Sequence, residues 1–233
     1  MSTLVLHELG GAHGARYSAF SWRTRMALKH KGLAFDTVAV RVSDKAAIAF
    51  SGQGKVPILT DGATVVSDSW KIAEHLDAAY PDRPALFGGP HGKALCRLIN
   101  ATVDRQWMAA LAPAMAMSVT QIVDAGDAAQ IRAGFEKGFG KPLEDLYAAR
   151  EATLKAFRRI LDPLRVTLRS QPFVCGDAPA YADIIMMSPL QWARIVHPDP
   201  VLEADDAVNA WFGRMLDLHD GYARAEPSRA ERG

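Results

Sequence analysis

Gly54-Lys-Val-Pro57-Ile-Leu-Thr60-Asp-Gly-Ala-Thr64-Val-Val-Ser67-Asp-Ser69-Trp70 packs a proline-led strand, a turn, a second strand and a helix start into one short stretch. Proline has no N–H, so it is tolerated where a strand begins, and it holds the residue before it extended. Asp61-Gly62 between the β-forming runs Pro57–Thr60 and Thr64–Val66 is a hairpin signal. Ser67-Asp68-Ser69 then offers capping side chains to a helix over Ser67–Ala79, whose apolar stripe runs Ile72, Leu76, Tyr80 and which Pro81 ends.

Upstream, Leu4–His7 reads as a short apolar strand and Ala34–Val40 as another. Between them, Phe20, Thr24, Ala27, Leu28 and Lys31 recur at helical spacing, which predicts a helix over Ser18–Lys31. Lys29, His30 and Lys31 sit at its negative end, and Gly32 is the stop signal. The order is βαβ, a loosely structured connection, then ββα.

Downstream, Pro81-Asp-Arg-Pro84 and Gly88-Gly-Pro-His-Gly92 flank an apolar Ala85-Leu-Phe87, the composition of a linker with one hydrophobic anchor. Past it the strand pattern disappears. His91–Met117, Lys141–Arg169, Tyr181–Ile195 and Asp205–His219 read as helices, with Pro113, Pro163 and Pro189 expected to kink or end them. Ser118–Gly140, polar and carrying Gly126, Gly134, Gly138 and Gly140, reads as an irregular insertion with room for one short helix. The expected organisation is an α/β domain over 1–84, a linker over 85–92 and an all-helical domain over 93–233.

Lys and Arg total 27 against 26 for Asp and Glu, so a net charge of +1 supplies no field that would draw nucleic acid or a membrane surface. Cys96 and Cys175 have no metal or redox spacing, so each reads as a buried reduced thiol and no metal is expected. The first residues lack a basic stretch followed by an apolar run, and no segment approaches the length of a membrane span. A cytoplasmic protein is the expectation.

Three features carry chemistry. Ser18 stands where strand one meets helix one; its hydroxyl can cap the helix or donate to an anion held there by the helix dipole. Val56, extended before Pro57, is either a plain strand edge or a backbone that pairs with a peptide-like ligand. Asp68-Ser69 is either an ordinary cap or an anion site whose carboxylate also meets an ammonium. One ligand matches all three in order. Glutathione brings an α-amino acid end for Asp68 and Ser69, peptide units for Val56 and a sulfur for Ser18.

More narrowly, Ser18-Ala-Phe-Ser-Trp-Arg-Thr-Arg-Met-Ala-Leu-Lys-His-Lys-Gly32, Lys55-Val-Pro57, Asp68-Ser-Trp70, Tyr80-Pro-Asp-Arg-Pro84 with Leu86-Phe-Gly88, and Phe157-Arg-Arg-Ile-Leu161 form an ordered set. The chain resembles the cytosolic glutathione transferases over nearly its whole length, and within them the bacterial lignin β-etherases and fungal-type serine transferases. The resemblance implies a thioredoxin-like domain, an all-helical second domain, a cis bond before Pro57, a homodimer, and a catalytic hydroxyl at Ser18. It departs from the family at Ala19, where many relatives have proline. It departs again at Ala180, where a capping hydroxyl is usual, leaving Asp183 to satisfy the backbone donors of that helix.

A free thiol titrates near roughly 8.5, and lowering that by about two units needs about 2.7 kcal/mol. The Ser18 hydroxyl, the helix N-terminus and nearby Arg23 or Arg25 would favour the thiolate. Ser21, one turn further in, is the rival hydroxyl. Gln53 and Lys55 are placed to reach the glycine carboxylate. Phe20, Trp107 and Met115, with Met108 and Met117, are candidates for the wall that meets an apolar, aromatic electrophile. Met186, Met187, Trp192, Trp211 and Met215 read as core, His7 and His75 as structural, and Arg158, Arg159 and the Arg-rich tail from Arg224 to Arg232 as solvated. The expected activity is a glutathione transferase acting on such an electrophile, including reductive cleavage of β-aryl ethers. Two other classes stand beside it: a thiol–disulfide oxidoreductase or isomerase, which the serine in place of an attacking cysteine disfavours, and a non-catalytic, ligandin-like binding protein.

Overall fold

The computed structural model describes residues 3–232. Its first half is a four-stranded sheet in the order β2-β1-β3-β4, built from β1 (Leu4–Leu9), β2 (Phe35–Val40), β3 (Ile58–Asp61) and β4 (Thr64–Ser67). The β1–β2 pair is parallel, as a crossover through a helix requires, and β1–β3 and β3–β4 are antiparallel. That crossover is α1 (Ala19–His30), and α2 (Ser69–Ala79) follows the hairpin. Gly62, at φ 58°, makes the hairpin turn that Asp61-Gly62 announces. This is the thioredoxin-like arrangement expected from the sequence. The connection after β2 is not wholly loose, since Ala46–Ser51 forms a 3-10 turn.

The second half is helical: α3 (Pro90–Thr102), α4 (Met108–Thr120), α5 (Ala125–Phe139), α6 (Leu143–Ala148), α7 (Arg150–Ile160), α8 (Asp162–Thr167), α9 (Tyr181–Val196), α10 (Ala207–Gly221) and α11 (Arg229–Arg232). A π-turn at Val103–Trp107 joins α3 to α4. Among the described residues no helix is long and apolar enough to cross a membrane. The linker is anchored as its composition suggests: Leu86 and Phe87 are buried, their N–H groups donate to Asp77, and Phe87 stacks among Trp70 and Tyr181. Gly92 is required there, because a Cβ would stand 1.9 Å from the Phe87 carbonyl oxygen.

Several expectations are corrected. The segment 118–140 is not irregular: α5 runs fifteen residues through three of its glycines, which face open space, while Ala128, Ile131 and Phe135 pack on the core. Gly140, at φ 66°, ends it. The helix expected over 141–169 is three short ones, broken at Ala149 and Leu161, with Pro163 in the first turn of α8, where its missing N–H matters least. Pro113 and Pro189 end nothing, since α4 and α9 continue through both. Cys175 is exposed, unlike the buried Cys96.

The arginines are not simply solvated. Arg158 donates to the Val201 carbonyl at 2.8 Å, and in the tail Arg232 pairs with Glu226, whose carboxylate also accepts the Arg16 N–H at 3.0 Å. His75 bonds Asp61 at 2.9 Å, consistent with a structural role. The hydroxyl missing at Ala180 is replaced as anticipated and extended further. The fully buried Asp183 carboxylate accepts from the backbone N–H of Ala180 (3.3 Å), Val174 (2.7 Å) and Cys175 (3.1 Å), and from Trp211 Nε1 (3.0 Å).

Candidate active site

The sheet topology brings the three sequence features to one end. Because β3 runs antiparallel to β1 and β4 antiparallel to β3, the end of β1, the start of β3 and the end of β4 lie at the same end of the sheet, with His7 opposite Ile58 and Ile58 opposite Ser67. Ser18 follows β1, Val56-Pro57 precedes β3, and Asp68-Ser69 follows β4. The Val56–Pro57 bond is cis, and the Pro57 carbonyl accepts the Asp68 N–H at 3.2 Å, tying two of the three together.

Ser18 is the N-cap of α1: its backbone is extended (φ −77°, ψ 119°) and its Oγ accepts from Ser21 N at 3.2 Å. The two uses of the hydroxyl are therefore compatible, because the oxygen caps while its own proton stays free to donate. Ser18 lines a pocket of about 230 Å³ between the two halves. Leu9, Tyr17 and Phe20 join it from the α/β side, and Met108, Ile131, Phe135 and Trp192 close it from the helical side. Ser21 is 1% exposed, is absent from that wall, and its Oγ has no hydrogen-bond partner among the described residues.

Asp68 holds a strained backbone for a residue with a side chain, φ 81° and ψ 129°. Its carboxylate caps α2 through Oδ1, which accepts from Trp70 N (3.0 Å) and Lys71 N (3.1 Å). Asp68 is exposed on a charged groove of about 840 Å³ shared with Lys71, Glu74, Arg97 and Asp104. Ser69, buried, begins α2, and its carbonyl accepts the Tyr181 hydroxyl at 2.9 Å. Gln53 and Lys55 are exposed on the segment leading to Val56, after Gly52 at φ 67°.

Other sequence candidates fall elsewhere. Trp107 and Met115 are not on the pocket wall; Trp107 is 3% exposed and edge-on to Phe157 at 6.3 Å, and Met115 is fully buried. Both face the core, and α4 reaches the pocket through Met108 and Val119 instead. Arg25 is not available to an anion at Ser18: Glu8 takes its guanidinium, with Nε to Oε2 at 2.7 Å, and Tyr222 takes Nη1 at 2.7 Å. Arg23, fully buried, donates to Ser188 Oγ (2.9 Å) and Asn100 Oδ1 (3.0 Å) and pairs with Asp104 (2.8 Å). Both charges are spoken for, so the helix dipole and the Ser18 proton are what remain for an anion.

Tyr17, Ile131, Phe135 and Trp192 were not predicted for the wall. Ile131 and Phe135 stand four residues apart, a helical signal that the surrounding glycines obscure. Trp192 is both core, at 6% exposure, and wall.

With this geometry established, comparison with known proteins is decisive at the level of family. The glutathione S-transferase C-terminal domain model matches residues 94–220 and the N-terminal domain model residues 13–84. The chain belongs to the glutathione S-transferase family. It is similar to maleylacetoacetate isomerase of Rhizobium meliloti, 29% identical over 223 residues that cover 92% of this chain and 94% of that protein. Its fold is similar to a glutathione S-transferase of Ceriporiopsis subvermispora solved with glutathione (TM-score 0.73, 24% identity, 96% and 94% of the two chains). It is similar also to a glutathione transferase of Phanerochaete chrysosporium (TM-score 0.70, 23% identity, 97% and 96%).

Proposed function

We propose that this chain binds glutathione across the shared end of the sheet, holds it as a thiolate at Ser18, and directs it at an apolar electrophile in the adjoining pocket. The observation that carries this reading is the position of Ser18, at once N-cap of α1 and wall of the pocket, at the same sheet end as Val56-Pro57 and Asp68-Ser69. The extended Val56 backbone suits the cysteinyl peptide units, the Asp68 carboxylate suits the ammonium, the α2 N-terminus suits the γ-glutamyl carboxylate, and Gln53 and Lys55 suit the glycine carboxylate.

The wall favours an uncharged, aromatic or apolar co-substrate, since beside the Tyr17 and Ser18 hydroxyls and the Trp192 indole it carries hydrocarbon and thioether side chains, and none of its lining residues is a cation. Cleavage of β-aryl ethers fits such a pocket. Isomerisation is the second reading, favoured by the relative named maleylacetoacetate isomerase, but a substrate acid would want a cation on this wall. Leu95 and Leu98, 63% and 66% exposed on α3, support pairing with a second copy of the chain, which sedimentation equilibrium tests.

Titration calorimetry with glutathione and ultraviolet titration of the bound thiol test the main reading. Binding in the micromolar-to-millimolar range, with a thiol pKa below that of free glutathione, is the expected result. A model β-aryl ether assayed beside a chloronitrobenzene separates ether cleavage from general conjugation, and turnover of the second alone sinks the ether version.

A further inference from the structure

The tail that follows α10 straps down the loop leading into Ser18. The Glu226 carboxylate accepts the Arg16 backbone N–H at 3.0 Å, across 210 residues of sequence. On the other side of the same residue, the Trp22 indole of α1 donates to the Arg16 carbonyl at 2.7 Å. Arg16 is thus gripped at both its N–H and its C=O, and Tyr17 alone separates it from Ser18. The loop's own backbone bonds, Gly11 N to Ala15 O (2.8 Å) and Ala15 N to Ala12 O (3.2 Å), close before Arg16 and leave its N–H to the tail. Arg232 makes a second fastening: its guanidinium pairs with the Glu226 carboxylate and donates to the His13 carbonyl at 3.3 Å. His13 is held in the left-handed region (φ 52°, ψ 30°), so the loop is strained where the tail fastens it. The strap is itself fixed to the helical half, since Arg194 of α9 donates to the Glu226 carbonyl at 2.7 Å and to the Glu231 carboxylate at 3.3 Å. The same helix gives Trp192 to the pocket that Ser18 lines.

We propose that Glu226 is a positioning residue for Ser18: by fixing the Arg16 peptide it holds the Ser18 hydroxyl where its proton reaches the glutathione sulfur. This rests on the glutathione reading above and adds to that site a residue from the far end of the chain. Ser18 would act through a single O–H, so its effect on the thiolate depends on holding that oxygen in place to within a fraction of an ångström. The bond from Ser21 N fixes the oxygen against α1, and the bond to Glu226 fixes the backbone that approaches it. A carboxylate is the stronger acceptor for the second task, because its bond to an N–H is charge-assisted. The proposed contacts of the glutathione peptide, at Val56 and Asp68, do not pass through Glu226. Affinity and thiol ionisation should therefore respond differently when Glu226 is changed.

The test compares wild type, Glu226→Ala and Glu226→Gln by ultraviolet titration of bound glutathione, by calorimetry, and by turnover of a chloronitrobenzene. Glu226→Ala should raise the bound thiol pKa by about half to one unit and lower kcat/KM about 3- to 10-fold at about pH 6.5, the rates converging at higher pH as the thiol ionises in both proteins. Glutathione affinity, measured below the bound thiol's pKa, should stay within about twofold of wild type. Glu226→Gln, whose amide oxygen still accepts the Arg16 N–H, should titrate within about 0.3 unit of wild type. Asp206→Ala is the control for lost stability, since it removes the α10 cap (Val208 N, 2.9 Å) and the pair with Arg165 (2.6 Å). It should lower the thermal midpoint and leave the thiol titration unchanged. A Glu226→Ala titration that overlays wild type overturns the proposal. So does a Glu226→Gln variant as defective as the alanine one, or an equal thiol shift in Asp206→Ala, which assigns the effect to stability; in those cases the glutathione reading stands. A wild type that binds no glutathione, or whose bound thiol titrates like free glutathione, removes that reading and this role with it.

Discussion

Ser18 Oγ accepts the Ser21 backbone N–H at 3.2 Å, so a single oxygen closes the first turn of α1 and still has a proton to give. An oxygen that accepts one bond is polarised toward donating another. The capping role of this hydroxyl and its proposed role toward a thiolate therefore reinforce each other.

Ser18→Ala should remove both at once. Loss of the cap costs about 1 kcal/mol, read as a lower midpoint in thermal denaturation. Glutathione should still bind through Val56 and Asp68, with its thiol pKa raised by about one to two units in ultraviolet difference titration. An unchanged titration curve would remove Ser18 from its proposed role.

Asp68→Asn separates cap from charge. The amide oxygen can keep the bonds to Trp70 N and Lys71 N that Oδ1 now accepts, so stability should stay within about 0.5 kcal/mol. Glutathione affinity should fall roughly 5- to 20-fold, the loss of one charge-assisted bond. Calorimetry decides, and equal affinity in the variant would take the ammonium away from Asp68.

His7, His30 and His197 are each held below their ordinary value of 6.5, in every case first of all by desolvation. The unfolded chain therefore binds more protons than the folded one below about pH 6.5. Stability from these groups is fully present above that value and is lost as pH falls through the lower folded values. The thermal midpoint should drop between pH 7 and pH 5. His197, 3% exposed with Nδ1 at 3.0 Å from Ser118 Oγ, should dominate locally, so His197→Gln should flatten the slope of midpoint against pH.

Asp183→Asn should be among the most damaging single changes. The carboxylate accepts four N–H donors, and an amide nitrogen in place of either oxygen turns an acceptor toward them into a donor. A cost of about 2–4 kcal/mol is expected, measured as a lower urea midpoint with an unchanged m-value. A loss under 0.5 kcal/mol would mean that the carboxylate is not the hub described.

Much of the α/β half was legible because its signals are local. Pro57, Asp61-Gly62 and Asp68 place the strand, turn and cap to within a residue, since each acts through its own φ or its own missing N–H. The strand from Leu4 runs on to Leu9, two residues past its apolar run, because Glu8 and Leu9 continue the parallel pairing with Ala39 and Val40 of β2 after the β3 pairing has ended at His7. The helical half was read less well where tertiary packing overrides propensity. The glycines of α5 concealed the face that completes the pocket, and nothing local marks the breaks at Ala149 and Leu161. The charges near Ser18 misled for a related reason. Arg23 and Arg25 lie close to it along the chain, but Asn100, Ser188 and Tyr222, which engage them, are 77 to 197 residues away in sequence.

Arg23 also bears on how far this protein can be divided. It belongs to α1, is 0% exposed, and takes its acceptors Asn100, Asp104 and Ser188 from the helical half. A fragment ending near the linker loses all three acceptors together with the helix α9 that packs on α1, and so exposes the face of α1 that the helical half now covers. The halves are thus a single inheritance unit. A chimera joined at the linker succeeds only where the recipient's helices bring their own amide, carboxylate and hydroxyl to the same arginine.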